Sequence, residues 1–410
     1  MKPRTRGEVT VYPPFRRQPL YWDSGLLSSG PHSVTDLRVL ALEPWLGGSH
    51  ERFLSAWTRH SAHRIQVLGL PARHWRWRMS AGAWALGERI LNEGIDRPDV
   101  LFVSDYVDLP RLYGHLPRAW RDLPAVLYFH ENQLTYPNGP DRDSKRFADD
   151  LAPGWANILS CLSADRVIFN SQFHRQDFAH AADRLLARLP KPRPRAQLRA
   201  ALDEASVVPP GVELDCFPTG PGGEAGSPLR VGFNHRWEHD KDPAAFLHAI
   251  RAASARGAKL ELILLGEHYE RTPPEIPCLL EELQPLIRHC GHASSQADYA
   301  SLLGSCDLVV STARHEFYGM ALLEGLALGA QPVAPHRLSY PEVLPPELHP
   351  SSLYTDPENL VSTLVAAAVE PERYRNGQRR AERSALAEAH SAIKTAGSLD
   401  DAVFLAVKRV

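Results

Sequence analysis

The chain has 410 residues, 43% of them hydrophobic and 23% charged, and a formal net charge of -2, enough apolar material for two domains with separate cores. No apolar run approaches the roughly 20 residues needed to span a bilayer, and the near-neutral balance excludes a global attraction to nucleic acid, leaving any RNA binding to local basic patches. Five cysteines, Cys161, Cys216, Cys278, Cys290 and Cys306, without a C-x-x-C pair, argue against a zinc site or a disulfide framework and read as buried small apolar residues.

Residues 1–35 show no clear periodicity and are expected to form an extended or disordered arm. The start, Met1-Lys-Pro-Arg-Thr-Arg6, lacks the apolar core of a signal peptide, so a cytoplasmic location with no membrane partner is expected. From Asp36, strands are predicted at 38–42, 64–70, 100–104, 125–129 and 166–170, with helices around 51–60 and 80–92. This alternation predicts a doubly wound parallel sheet over 36–215. The basic, proline-rich stretch 184–199, with Lys191-Pro-Arg-Pro-Arg195, reads as a loop, either a phosphate contact or simply solvated. Thr219-Gly-Pro-Gly-Gly-Glu-Ala-Gly-Ser-Pro228 reads as an interdomain linker within 216–228. Strands then resume at 229–234, 260–265, 287–291, 307–311 and 331–334, for a second domain at 229–385, and the Ala-rich, charged end is expected to be helical. No internal repeat and no protein partner is evident.

The strand at 229–234 ends on Asn234, and Arg236 and Lys241 flank the turn that leads to a helix near Ala244. Two cations at such a turn answer the negative charge that grows on a diphosphate as a glycosidic bond breaks, although a solvated turn can carry the same pair. Downstream, Arg314-His-Glu316-Phe-Tyr-Gly319-Met320-Ala-Leu-Leu-Glu324 places one carboxylate before a helix start and one inside the helix. The free N–H groups of a helix start can hold phosphate. The arrangement suits a nucleotide sugar: Glu316 bonds sugar hydroxyls, the Gly319 and Met320 amides face the diphosphate, and Glu324 reaches the ribose. An ordinary strand-loop-helix with a solvated acidic face is the plain alternative.

In the first domain, Gly47 and Gly48 form a turn after the first strand, where a missing Cβ lets a donor phosphate or an acceptor approach the backbone; a plain tight turn looks the same. Arg73, Trp75, Arg76, Trp77 and Arg78 interleave cations with indoles, a pattern that contacts phosphates and stacks on unpaired bases, or else begins an ordinary amphipathic helix. His130 ends the strand at 125–129, and Glu131, Asn132 and Gln133 beside it can hold acceptor or sugar hydroxyls. Asp141-Arg-Asp143 and Asp240-Lys-Asp242 are rejected as metal motifs because Arg236 and Lys241 already supply the charge a metal would bring; neither a metal nor a cofactor is expected.

Arg-x4-Lys followed by Glu-x7-Glu resembles the donor site of retaining glycosyltransferases of family 4, with Pro210-Gly-Val-Glu213 and Leu264-Leu-Gly-Glu267 where that family has a hinge and a glycine turn. Glu43-Pro-Trp-Leu-Gly-Gly-Ser-His50, Leu70-Pro-Ala-Arg-His-Trp-Arg-Trp-Arg-Met79, Phe129-His-Glu-Asn-Gln-Leu-Thr-Tyr-Pro137 and Phe169-Asn-Ser-Gln-Phe173 together resemble the tRNA-queuosine mannosyltransferases, over roughly residues 38–340. The resemblance implies an α/β fold of GT-B architecture, two Rossmann-like doubly wound domains facing a central cleft, with a last helix at 386–410 that can cross back to the first domain. It implies retaining transfer of mannose from GDP-mannose to the cyclopentene hydroxyl of queuosine at the wobble position of a tRNA. His130 would contact the donor sugar, and the leaving phosphate would help deprotonate the acceptor. Three alternatives stay open: another nucleotide sugar or a glycan, lipid or small-metabolite acceptor; a non-catalytic tRNA-binding protein; and a GT-B epimerase.

Overall fold

The computed structural model describes residues 36–136, 151–266 and 275–408. Residues 1–35, Pro137, Asp141, Asp143 and Glu267 lie outside the described residues. Two parallel six-stranded sheets organise the rest. The first consists of β1 (Arg38–Leu46), β2 (Arg64–Pro71), β3 (Val100–Ser104), β4 (Ala125–Phe129), β5 (Arg166–Phe169) and β6 (Ser206–Val207), in the order β2-β1-β3-β4-β5-β6. β3 and β4 are buried at every position, as strands covered by helices on both faces must be.

The second sheet contains β7 (Leu229–Phe233), β8 (Leu260–Leu264), β9 (Ile287–Cys290), β10 (Leu308–Val310), β11 (Gln331–Pro335) and β12 (Leu353–Tyr354), in the order β12-β11-β10-β7-β8-β9. The strand order reverses between β1 and β3 in one sheet and between β7 and β10 in the other. Ligands of open sheets bind at the carboxyl ends beside such reversals. The Gly47–Gly48 turn follows β1; the turns carrying Arg236–Lys241 and Glu316–Gly319 follow β7 and β10.

Several elements differ from their expected bounds. β1 continues through Pro44, Trp45 and Leu46, pairing Leu46 with Pro71 after a register shift, so the glycine turn begins later. The helices predicted at 51–60 and 80–92 run over Gly48–His60 and Trp75–Asn92. The stretch 184–199 is mostly helical, taken up by the end of Gln172–Arg188 and the start of Arg195–Asp203, because Leu186, Leu198 and Leu202 are buried in the first core between the arginines. Cys161 and Cys306 are buried as expected, whereas Cys278 and Cys290 are exposed, on a helix face and at the end of edge strand β9.

Residues 216–228 connect the sheets without forming a free tether. The Gly220 N–H donates to Leu328 O at 2.9 Å, and a Cβ on Gly220 would fall 2.3 Å from Gly304 O. Arg380, only 1% exposed, donates to the carbonyls of Gly220, Cys306, Gly304 and Leu328 at 2.7–3.0 Å, stitching this segment to the second domain. The helix Ala392–Val407 lies against the first sheet. Ala396, Leu399 and Val403 pack with Val39, Trp57 and Phe102, and Asp400 accepts from Trp57 Nε1 at 2.8 Å and Ser61 Oγ at 2.6 Å.

Candidate active site

The turn after β7 is held in an unusual backbone conformation. Asp242 has φ of 50°, a left-handed geometry that a non-glycine residue adopts at a cost. Its carboxylate offsets that cost by accepting from Ala245 N, capping the next helix, and from Arg314 Nε at 2.6 Å. Thr312 Oγ1, on the chain leaving β10, donates to Lys241 O and Asp242 O, so the two turns are joined. The result places Lys241 Nζ 3.1 Å from Glu316 Oε2, 3.3 Å from Asp240 Oδ2 and 3.0 Å from His315 O.

Glu316 Oε1 accepts from the Phe317 and Tyr318 amides at 3.1 and 3.2 Å. Burial favours the neutral acid, but Lys241, His235 and the Tyr318 amide outweigh it and hold the Glu316 carboxyl at about 2. Burial, and then Lys241, push His235 and His315 down to about 4, so both are neutral imidazoles near pH 7. Arg236 is 48% exposed and lies 3.3 Å from Glu238. Around these turns Asn234 Oδ1, His235 Nε2, Asp240 Oδ1 and His315 Nε2 are buried with no hydrogen-bond partner among the described residues, an arrangement that a polar ligand would satisfy.

Gly319, with φ of 103°, starts the helix Met320–Ala327, and a Cβ there would meet the Tyr340 ring at 2.9 Å. One turn in, Glu324 is buried, which raises its carboxyl above the usual range against the lowering influence of Arg52 and Tyr299. Tyr299 OH donates to Glu324 Oε2 at 2.5 Å and accepts from Asn234 Nδ2 at 2.9 Å; the same Asn234 nitrogen donates to Ala321 O at 2.8 Å. Asn234 and Glu324 therefore share one network.

On the first domain, Glu43 Oε1 accepts from Trp45 N at 2.8 Å and Ser104 Oγ at 3.0 Å, while Oε2 lies 3.0 Å from His50 Nδ1. The His50 ring packs against His130, tilted by 31° with centroids 4.0 Å apart, and His130 is further enclosed by Tyr128 and Phe53. The His130 amide donates to Asp105 Oδ1 at 2.9 Å. Glu43, His50 and His130 bring ligand-type atoms within 4.8 Å of one another. The Glu43 oxygens already take part in three hydrogen bonds, one of them with His50.

Glu131 Oε1 accepts from Tyr106 OH at 2.8 Å and Gln133 Nε2 at 3.1 Å, leaving both side chains at the carboxyl edge of β4. Asn132 is different: it is buried, and its Oδ1 accepts from the Leu134 and Thr135 amides at 3.1 Å. Its side chain shapes the loop and is not presented to an acceptor. The two domains meet directly beside these residues. Ser171 Oγ donates to Phe317 O at 2.6 Å, His174 stacks on Phe317 at 3.8 Å, Tyr136 contacts the His315 ring at 5.1 Å, and Arg52 reaches to 3.8 Å from Glu324.

Arg73, Trp75, Arg76, Trp77 and Arg78 lie one strand outward, at the start of the helix following β2. Trp77 is 62% exposed, the Arg76 guanidinium sits 4.9 Å over the Trp75 ring, and Arg78 Nε donates to Pro71 O. Sequence reasoning passed over Glu43, His50, Arg52 and Tyr299 as site residues. Glu43 and His50 bracket a quoted motif, which was a usable signal; Arg52 and Tyr299 enter only through the meeting of separate helices.

Residues 38–212 match the family described as tRNA-queuosine alpha-mannosyltransferase N-terminal, and residues 228–370 match glycosyl transferases group 1. The chain is 33% identical over 321 residues to a tRNA-queuosine alpha-mannosyltransferase of Drosophila melanogaster, covering 75% of this chain and 82% of the relative. It is 26% identical over 304 residues to a GDP-mannose-dependent alpha-(1-6)-phosphatidylinositol dimannoside mannosyltransferase of Mycobacterium tuberculosis, covering 70% of each. Among solved structures, sucrose-phosphate synthase from Thermosynechococcus elongatus is similar with a TM-score of 0.66 at 14% identity, over 90% of this chain and 100% of that one. HepE of Anabaena in complex with UDP is similar with a TM-score of 0.61 at 14% identity, over 89% of this chain and 99% of that one. At such identities the likeness speaks for the fold, which is the two-domain α/β GT-B architecture. No helix among the described residues is long and apolar enough to cross a membrane.

Proposed function

We propose that this chain, which belongs to the tRNA-queuosine alpha-mannosyltransferase family, transfers mannose from GDP-mannose to queuosine at the wobble position of a tRNA, with retention at the anomeric carbon. That it is a glycosyltransferase follows from the family and from the group 1 transferase match. The GDP-mannose donor is supported by the likeness to the GDP-mannose-dependent mycobacterial relative. The carrying observation is the Lys241–Glu316 pair, backed by buried polar atoms that lack hydrogen-bond partners among the described residues.

In this reading the donor diphosphate lies by Arg236 and Lys241, with the Gly319 and Met320 amides at the helix start and the Gly47–Gly48 backbone opposite. Glu324, oriented by Tyr299 and Asn234, takes the ribose hydroxyls. Glu316 and His130 take the sugar hydroxyls. As the anomeric C–O bond breaks, charge builds on the diphosphate, and Lys241 and Arg236 stabilise it where a metal would in other transferases. No metal is required in this reading, and catalysis is positioning plus electrostatics.

The acceptor side uses Glu131 and Gln133, with Arg73, Trp75, Arg76, Trp77 and Arg78 on anticodon phosphates and bases. A cytoplasmic location is in keeping with a tRNA substrate. A tRNA-binding module without transfer would have no physical need for Glu316, Glu324, Arg236 and Lys241 at two adjoining turns.

The test is to incubate the protein with GDP-mannose and queuosine-containing tRNA, digest to nucleosides and weigh them. A hexose on queuosine is expected. Unmodified queuosine would sink the proposal, and conversion of donor alone would indicate an epimerase.

A further inference from the structure

The helix Gln172–Arg188 of the first domain begins against the second domain, and its start is completed by a residue 170 positions further along the chain. Its own first turn contains no acidic residue, so no local carboxylate answers the free N–H groups there. Glu342, on the short helix Tyr340–Val343, supplies one: Oε1 accepts from Gln172 N at 2.6 Å and Oε2 from Phe173 N at 2.8 Å. Ser171 Oγ takes the next amide, His174 N, at 3.0 Å and donates to Phe317 O at 2.6 Å. The amides of Gln172, Phe173 and His174 are thus all paired, two of them across the domain boundary.

Each side of this clasp leads to a residue proposed for the sugar. On the second domain, Ser339 Oγ donates to Tyr318 O at 3.0 Å, and the Tyr340 ring lies so close to Gly319 that a Cβ there would meet it at 2.9 Å. Glu342 and the Glu316–Gly319 turn therefore form one unit. On the first domain, Asn170 Nδ2 donates to His130 O at 2.9 Å, Asn170 Oδ1 lies 2.8 Å from His174 Nδ1, and the His174 ring stacks on Phe317 at 3.8 Å. The Phe317 amide in turn donates to Glu316 Oε1 at 3.1 Å. An unbroken run of contacts joins His130 to Glu316 through Asn170, His174 and Phe317, and Glu342 fastens the helix start that carries it.

We propose that Glu342 is a positioning residue for the transfer: by holding the start of the helix Gln172–Arg188 on the second domain, it sets Glu316 and His130 at the separation the donor sugar needs. The assignment rests on the transferase reading above. Glu342 touches neither donor nor acceptor in this role, and the acceptor proton still goes to the leaving phosphate. A displacement of about 1 Å at the reacting groups can cost about a hundredfold in rate. Nucleotide binding by Asn234, Lys241 and Glu324 draws on the second domain and does not need the clasp. Loss of Glu342 is therefore a loss of rate at nearly full donor affinity.

The full-length protein, GDP-mannose and queuosine-containing tRNA provide the test. The kcat, the KM for GDP-mannose and the GDP affinity by calorimetry are measured for wild type, Glu342→Ala, Glu342→Gln, Gln172→Pro and the double variant of Glu342→Ala with Gln172→Pro. Glu342 is exposed, so its truncation removes no core packing. Gln172 is the first residue of its helix, where proline is tolerated, and Gln172→Pro removes the N–H that Glu342 Oε1 accepts. Glu342→Ala should lower kcat about tenfold or more, with the KM for GDP-mannose and the GDP affinity within about threefold of wild type. Glu342→Gln, whose amide oxygen still accepts one N–H, should recover part of the loss. Adding Glu342→Ala to Gln172→Pro should cost less than it costs wild type, because both changes cut the same contact. A kcat for Glu342→Ala within about threefold of wild type overturns the role, as does a fall in GDP affinity that matches the fall in kcat, or strict additivity of the two changes. Wild-type protein that leaves queuosine unmodified overturns the transferase reading and this role with it, whereas active wild type with an unaffected Glu342→Ala overturns the role alone.

Discussion

Lys241 Nζ lies 3.1 Å from Glu316 Oε2, so the cation proposed for the diphosphate and the carboxylate proposed for the sugar are each other's partner before any donor arrives. Burial favours a neutral Lys241 amine, but Glu316 and Asp240 outweigh it and raise its pKa, keeping it an ammonium. Removing one electrostatic contact of this kind costs transfer about a hundredfold. Lys241→Ala should therefore lower kcat by that factor or more, read from initial rates on queuosine tRNA. Near-normal turnover would remove Lys241 from the mechanism.

The same pair predicts a pH dependence of stability. Glu316 is held at about 2 in the folded protein against the ordinary 4.5 of a glutamate, so the folded state gains stability from its ionisation. That gain is complete above 4.5 and is lost as pH falls toward about 2. In urea melts across this window, wild type should lose stability more steeply than Glu316→Gln, and the gap between them should narrow with acid. Parallel curves would mean that Glu316 is not held in its ionised form by Lys241.

Tyr299 orients Glu324 through a 2.5 Å hydrogen bond and is itself held by Asn234. Tyr299→Phe keeps the ring and removes the hydroxyl. A hydrogen bond to a charged group contributes about 1.5–3 kcal/mol, so donor affinity should fall about tenfold or more, with a smaller change in kcat. GDP binding by calorimetry is the check, and unchanged affinity would detach Glu324 from the nucleotide.

Trp77 is 62% exposed at the start of a helix rich in arginine. If it stacks on an unpaired base, Trp77→Ala should weaken tRNA binding about tenfold, since such stacking contributes about 1–3 kcal/mol. The KM for GDP-mannose should not move. Equal tRNA affinity in a filter-binding assay would place the RNA elsewhere.

Arg380 predicts a stability effect remote from the chemistry. Arg380→Met keeps much of the volume but leaves the carbonyls of Gly220, Gly304, Cys306 and Leu328 without this donor. A loss of about 3 kcal/mol in urea unfolding is expected, because buried acceptors stripped of their partner cost about 1–3 kcal/mol each.

The amino-acid sequence alone determined the two alternating domains and the residues at their strand ends. Buried parallel strands such as β3 and β4 are continuous apolar runs, and Arg236 and Lys241 come after β7 while Glu316 and Glu324 come after β10. It also carried the helices over 48–60 and 75–92, though not their first turns, because caps and glycine bends decide where a helix begins. The edge strands β6 and β12 were hidden, since two residues contain no period. Asn132 looked like an acceptor ligand until the loop turned its side chain inward. Only the tertiary structure decided that Lys241 and Glu316 are a pair across 75 residues, that Tyr299 steadies Glu324, and that Glu43 backs a histidine packed against His130. Such contacts join groups whose distance in the chain says nothing of their distance in space, and local periodicity records only which face of its own element a side chain occupies.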